Sequence, residues 1–194
     1  MNCKELRVGF AFCGSFCTMS RALDALEQTA ARFGTVTPIV SETVAATDTR
    51  FGAAHDFLRE MERLCDRRVI ASIAGAEPIG PKGLLDVLVI CPCTGNTLAK
   101  LAHGVTDSSV TMAAKAHLRN GRPLVIALST NDGLTGSAPN LGAMLNRKNV
   151  FFVPFGQDDF AGKPASLVAD FAQVPDAVEA ACRGEQLQPV LLRG

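Results

Sequence analysis

The chain has 194 residues, of which 47% are hydrophobic and 20% charged, with a formal net charge of zero. This is the composition of an ordinary globular protein, long enough for one well-buried core. The balanced charge argues against a protein whose main partner is nucleic acid or an anionic membrane. No window approaches the apolar length of a membrane span. No cationic segment leads into a long apolar run, so the expected location is the cytoplasm.

In chain order, Arg7 to Phe12 (RVGFAF) predicts a buried strand that ends in Cys13-Gly14-Ser15. Ser20 to Phe33 predicts a helix with Leu23, Leu26, Ala30 and Phe33 on one face and Gly34 as its C′ residue. Val36 to Val40 reads as a second strand. Asp48 to Asp66 reads as a helix, with Asp48 or Thr49 as N-cap and Phe57, Met61 and Leu64 as its apolar stripe. Val69 to Ile73 predicts a third strand. After a Pro/Gly-rich stretch from Glu77 to Gly83, Val87 to Cys91 is apolar at every position, as in a strand covered on both faces.

A helix then runs towards Asn120-Gly121, interrupted at Gly104 and resumed behind a cap at Asp107. Pro123 to Leu128 and Val150 to Phe155 predict two further strands, with a helix near Leu141 to Arg147 between them. Pro164 and Pro175 stand where first-turn prolines would open two final helices. Strand alternating with helix at this spacing predicts a single α/β domain over residues 1–194: three αβα layers around a doubly wound, mostly parallel sheet of flavodoxin or Rossmann type. In such sheets ligands bind outside the carboxyl ends of the strands. That rule selects Cys13–Thr18, Ser41, Pro92–Thr97 and Ser129–Asn131.

The first of these turns is neither a dinucleotide fingerprint nor a nucleoside-triphosphate loop, since no lysine follows Gly14. Gly14, Ser15 and Thr18 at a helix start suit a phosphate, or form a tight turn with a serine N-cap. The seven cysteines, Cys3, Cys13, Cys17, Cys65, Cys91, Cys93 and Cys182, are expected to be reduced and mostly to fill apolar space. Around Cys91 and Cys93 no second Cys pair or paired histidine supplies metal-ligand spacing. No neighbouring base marks either as a nucleophile. The loop Thr94-Gly95-Asn96-Thr97 instead offers backbone amides, hydroxyls and a carboxamide, suited to a carboxylate or a heterocycle edge. Asn96 or Thr97 is the expected N-cap of the helix that follows. His55, His103 and His117 are expected at the surface or its boundary. Lys163 and Ser166 place a cation and a hydroxyl at an expected helix start, either for an anion or as a plain surface cap.

Together, the glycine–serine turn at the first strand end and PCTGNTLAKLAHGVTD resemble the homo-oligomeric flavin-containing cysteine decarboxylases. The second motif of that family is P-x-S-A-N-T, followed by A-K and G-x-x-D. The stretches AEPIGPKGLLDVLVICPCTGNTLAKLAHGVTD, RPLVIALSTNDGLTGSAPNLGAMLNRKNVFFVPFGQDD and KPASLVAD resemble a narrower family, the B subunits of dipicolinate synthase, from Arg7 to about Ala172.

The resemblance implies a homo-oligomer with FMN as cofactor. It also implies a separate Rossmann-type A subunit as partner, and a small dicarboxylic heterocycle as substrate. The implied reaction oxidises a dihydrodipicolinate-level precursor in the mother cell of a sporulating bacterium. Gly14, Ser15 and Thr18 match the family's FMN-phosphate turn, and Ser41 matches a flavin-side serine. Asn96 matches the asparagine that holds the substrate carboxylate, and Thr94, Gly95 and Thr97 of the same loop are expected on the cofactor from the donors they offer. Ser129, Thr130 and Asn131 match a ligand-side stretch. No metal ligands are implied. Two departures stand out: Cys93-Thr94-Gly95 replaces the usual small residues before Asn96, and the methionines expected near Asn131 are missing.

Overall fold

A computed structural model describes residues 2–192. Strand β1 (Arg7–Phe12) leads into α1 (Met19–Arg32), β2 (Thr35–Val40), the short α2 (Glu42–Ala46), α3 (Ala54–Cys65) and the single turn α4 (Ile73–Ala76). Strand β3 (Val87–Cys93), helices α5 (Gly95–His103) and α6 (Ser109–Leu118), and β4 (Leu124–Thr130) follow. The chain closes with α7 (Ala138–Leu145), β5 (Val150–Phe152), β6 (Phe155–Gly156), β7 (Leu167–Ala169) and α8 (Val174–Cys182).

The parallel part of the sheet runs β2-β1-β3-β4-β5, the flavodoxin-like order. Helices cover both faces, so β3 is buried at all seven positions and β4 at its first six. That double coverage is why Val87–Cys91 carries no polar alternation. Glycine appears where backbone or side chain must come close. A Cβ on Gly34 would lie 1.7 Å from the Lys4 carbonyl oxygen. Close approach, and not a left-handed C′ conformation, therefore fixes that position.

Several expected elements end differently, each for a local reason. Val69–Ile73 makes only an isolated bridge, Ile70 to Ile39, and adds no strand. The helix expected from Asp48 starts at Ala54, whose amide is held by Asp48 Oδ1 at 2.8 Å across a small turn. Val150–Phe155 splits at Val153-Pro154, because Pro154 has no N–H to continue a ladder. No helix opens at Pro164. Beyond Ile126, β5 no longer accompanies β4, and Leu167–Val168 pairs antiparallel with Ser129 and Thr130 on that open edge. Pro175 does stand in the first turn of its helix, α8. No described helix is long and apolar enough to cross a membrane.

His117 departs most from expectation. It is 1% exposed, and its Nε2 lies 3.0 Å from the Pro123 carbonyl, tying α6 to the entry of β4. Burial pushes this imidazole down to about 4, with the Pro123 carbonyl and Asp86 opposing and Arg122 reinforcing the shift. The unfolded chain takes up this proton near pH 6.5, but the folded chain resists it until pH 4. Stability is therefore complete above about pH 6.5 and falls between pH 6.5 and 4, by roughly 3 kcal/mol. Denaturant unfolding of His117→Gln should show a flatter pH dependence across that window. Parallel curves for the two proteins would contradict it.

Candidate functional site

The order β2-β1-β3 sends the chain away from adjacent strand ends in opposite directions, which opens a crevice at the carboxyl ends of β1 and β3. A cleft of about 290 Å³ lies there, between the turn after β1, the start of α5, the end of β4 and the β6–β7 connection. Of the residues the sequence nominated, Gly14, Ser15, Thr18, Thr94, Gly95, Ser129, Thr130 and Asn131 line it. Ser41, Asn96 and Thr97 do not.

The turn after β1 is built by short-range bonds. The Ser15 amide donates to the Cys13 carbonyl at 2.8 Å, and the Thr18 amide donates to Ser15 O at 3.1 Å. Ser15 caps a single 3-10 turn, but its side chain makes no capping bond. Instead Ser15 Oγ lies 3.0 Å from Ser129 Oγ, and Thr18 Oγ1 donates to Ser15 Oγ at 3.0 Å. Three hydroxyls from the β1 turn, the start of α1 and the end of β4 thus meet at one point. Among the described residues, the amides of Gly14, Phe16 and Cys17 have no acceptor within the protein. Neutral hydroxyls and uncommitted amides at the head of a 14-residue helix are donors suited to an anion.

The second wall is the loop after β3. The N-cap of α5 is Thr94, which accepts the Thr97 amide at 3.2 Å; neither Asn96 nor Thr97 serves. Thr97 is buried and its hydroxyl donates to Cys13 Sγ at 3.1 Å, so it joins β1 to α5 and is not offered to a ligand. Gly95 is needed for close packing. A Cβ there would lie 2.6 Å from Ser137 Oγ, 2.7 Å from Thr130 Oγ1 and 3.0 Å from Asp132 Oδ1. Asn96 is exposed on the first turn of α5. Ser41 caps α2 through the Val44 amide at 3.3 Å, and Thr43 of that helix approaches Gly14.

The third wall comes from the end of β4, backed by Asp132, and from the β6–β7 connection, where the sequence offers Lys163 for an anion but gives no sign of Asp158. Asp132 accepts from Thr130 Oγ1 at 2.5 Å and from Ser137 Oγ at 2.8 Å, and these bonds hold its carboxyl below the usual range. It fixes the Thr130 hydroxyl against Gly95. Lys163 and Asp158 close the cleft from the β6–β7 connection, with Nζ 3.9 Å from Oδ2. Lys163 thus stands in a loop, not at the expected helix start. Phe16, Cys17 and Val168 also line the cleft. Phe16 and Cys17 fall within the strand end Cys13–Thr18 that the ligand rule selects, whereas nothing in the sequence marks Val168, which lies where a helix is predicted.

The cysteines and the remaining polar expectations resolve similarly. Cys13, Cys91 and Cys93 are buried. Burial pushes the Cys13 thiol up to about 11, and those of Cys91 and Cys93 well above the ordinary value. These are neutral thiols packed in the core, as apolar filler should be. Ser108, with Thr111, forms the capping box of α6 that was expected from Asp107; Asp107 pairs instead with Lys100 at 2.9 Å. His55 and His103 are exposed, and no histidine of the described residues lines the cleft.

A profile of the Flavoprotein family matches residues 3–152. The chain belongs to the Flavoprotein family. Within this flavoprotein family it is 44% identical to the B subunit of dipicolinate synthase of Bacillus subtilis over 189 residues, 97% of this chain and 94% of that protein. The crystal structure of the dipicolinate synthase B subunit from Bacillus halodurans superposes with a TM-score of 0.91 at 44% identity, covering 100% of this chain and 99% of the other. The FMN-dependent cysteine decarboxylase SpaF shares the fold at a TM-score of 0.67 and 20% identity, over 92% of this chain and 98% of its own. The resemblance read from the glycine–serine turn and PCTGNTLAK, and the doubly wound architecture, are both borne out by this kinship.

Proposed function

We propose that this flavoprotein-family chain is the B subunit of a dipicolinate synthase. It would bind FMN in the cleft and act with a separate A subunit to oxidise a dihydrodipicolinate-level precursor during sporulation, in the mother-cell cytoplasm. The observation that carries this reading is the cleft itself, at the switch point of the sheet, walled by hydroxyls and uncommitted amides. Kinship to the B subunits of dipicolinate synthase supports a dicarboxylic heterocycle as the substrate class. The FMN dependence named for a protein of the same fold supports the cofactor.

The donor set fits such a cofactor. Ser15, Thr18 and Ser129 pool three hydroxyls beside the amides of Phe16 and Cys17, so a phosphate there can be held by hydrogen bonds and the α1 dipole without a basic residue. Gly14 lets the ligand approach the backbone, and Thr94, Gly95, Thr130 and Asn131 form the opposite wall. When bound, the flavin supplies hydride acceptance. The protein orients the ring system and excludes water through the packed walls. Lys163, whose ion pair with Asp158 is long and exposed, is the cation available in the cleft to a substrate carboxylate. Asn96 is exposed on the first turn of α5, next to the cleft-lining Gly95, and in this reading its carboxamide holds a substrate carboxylate in an assembled homo-oligomer.

Substitution of Ser15 by Glu puts a negative charge where the phosphate should lie. FMN retention through gel filtration should be lost while circular dichroism and melting stay near those of the parent; unchanged retention would remove Ser15 from the phosphate site. Asn96→Ala, assayed together with the A subunit, should keep bound flavin but raise the KM for the dicarboxylic substrate about tenfold or more, as expected for losing a hydrogen bond to a charged group. Normal turnover by that variant would reduce Asn96 to a surface residue of α5. If FMN binds but omission of this chain leaves turnover by the A subunit unaltered, the chain is a non-catalytic partner.

A further inference from the structure

Two residues of the PCTGNTLAKLAHGVTD motif, Lys100 and Asp107, take no part in the cleft. Lys100 and Gly104 line a second cavity of about 320 Å³, where the carboxyl ends of α5, α6 and α7 meet. It lies about 13 Å along α5 from Gly95, given the helical rise per residue. Its floor is apolar: Leu101, Leu118 and Val105, the last of these 43% exposed with nothing covering it. Its rim is cationic, formed by Lys100, Lys115, Arg119, Arg147 and Lys148.

The charges are unevenly matched. Lys100 is held by Asp107 at 2.9 Å, and Arg147 Nη1 donates to the Leu101 carbonyl at 3.0 Å, which fixes these two groups at the wall. Among the described residues, Lys115, Arg119, Arg147 and Lys148 have no carboxylate within ion-pair distance. The guanidinium of Arg119 is laid against Gly80, where a Cβ would meet it at 2.9 Å. Cations at helix carboxyl ends offset the dipoles there, but each end contributes only roughly half a negative charge. Three such ends leave the four unpaired cations in excess. A concave, partly apolar site of this size with an uncompensated cationic rim has the features of a small-molecule pocket.

We infer that this cavity binds a compact organic dianion, with an apolar or aromatic body on Leu101, Val105 and Leu118 and acidic groups held by Lys115, Lys148 and Arg147. The site is separate from the cleft and does not rest on the FMN reading.

Calorimetric titration of the full-length protein with benzene-1,3-dicarboxylate tests it, with benzoate as the single-charge control. Saturable binding is expected, weaker for benzoate and weakened about tenfold or more in Lys115→Gln/Lys148→Gln, because two charge-assisted hydrogen bonds are removed. The exposed pair Arg59→Gln/Lys82→Gln removes the same charge elsewhere and should leave the affinity unaltered. Three results would each overturn the assignment. These are no saturable binding, equal loss in both double variants, and tighter binding of a hexaglutamate peptide than of the dicarboxylate. The last would reassign the surface to an acidic protein segment.

Discussion

The parallel pairing of β1 with β3, Val8–Ala11 against Val87–Ile90, is the contact on which the functional end of the molecule depends. Both strands are buried on both faces, so their pairing is fixed by packing as well as by the hydrogen-bond ladder. Because β1 continues towards β2 and β3 continues towards β4, the helices that follow leave on opposite sides. The crevice between them follows from topology before any polar residue is considered. Cys13 and Thr97 then bolt its base across the gap, with one hydroxyl-to-sulfur bond at 3.1 Å.

How that crevice is lined decides what it can hold. The corner at the β1 turn relies on neutral donors, Ser15, Thr18 and Ser129, and the ion pair of Lys163 with Asp158 is close to charge-neutral. The flank at the far end of α5 reverses this balance, with four cations that, among the described residues, have no carboxylate partner, over an apolar floor. The length of α5 thus separates two environments of different kinds: the cleft at its head, lined by neutral donors from the β1 turn and the end of β4, and the point charges at its tail. Asp132 belongs to the first environment although it touches no ligand-facing space of its own, since it holds Thr130 and Ser137 around the bare Gly95.

Much of this was legible in the sequence. The apolar runs RVGFAF, VLVIC and LVIAL are strands because only doubly covered strands tolerate continuous hydrophobicity, and their ends marked most of the cleft. The misreadings share a cause. Ser108 outcompetes Asp107 as a cap because Thr111 completes a reciprocal bond, which spacing alone does not reveal. β7 replaces the helix expected after Pro164 because an unpaired edge of β4 needed a partner, a tertiary demand with no local signature. Asp158 and Lys163 reach the cleft only through that strand. His117 is buried because its ring spans to the Pro123 carbonyl, and no pattern of neighbours announces that bond.

The most direct measurement is a visible absorbance titration of the purified chain with FMN. Saturable binding with perturbed flavin bands, at one FMN per chain and abolished by Ser15→Glu, is the predicted result. A chain that leaves the flavin spectrum unaltered at any concentration would contradict the assignment of the β1–β3 cleft as a flavin site.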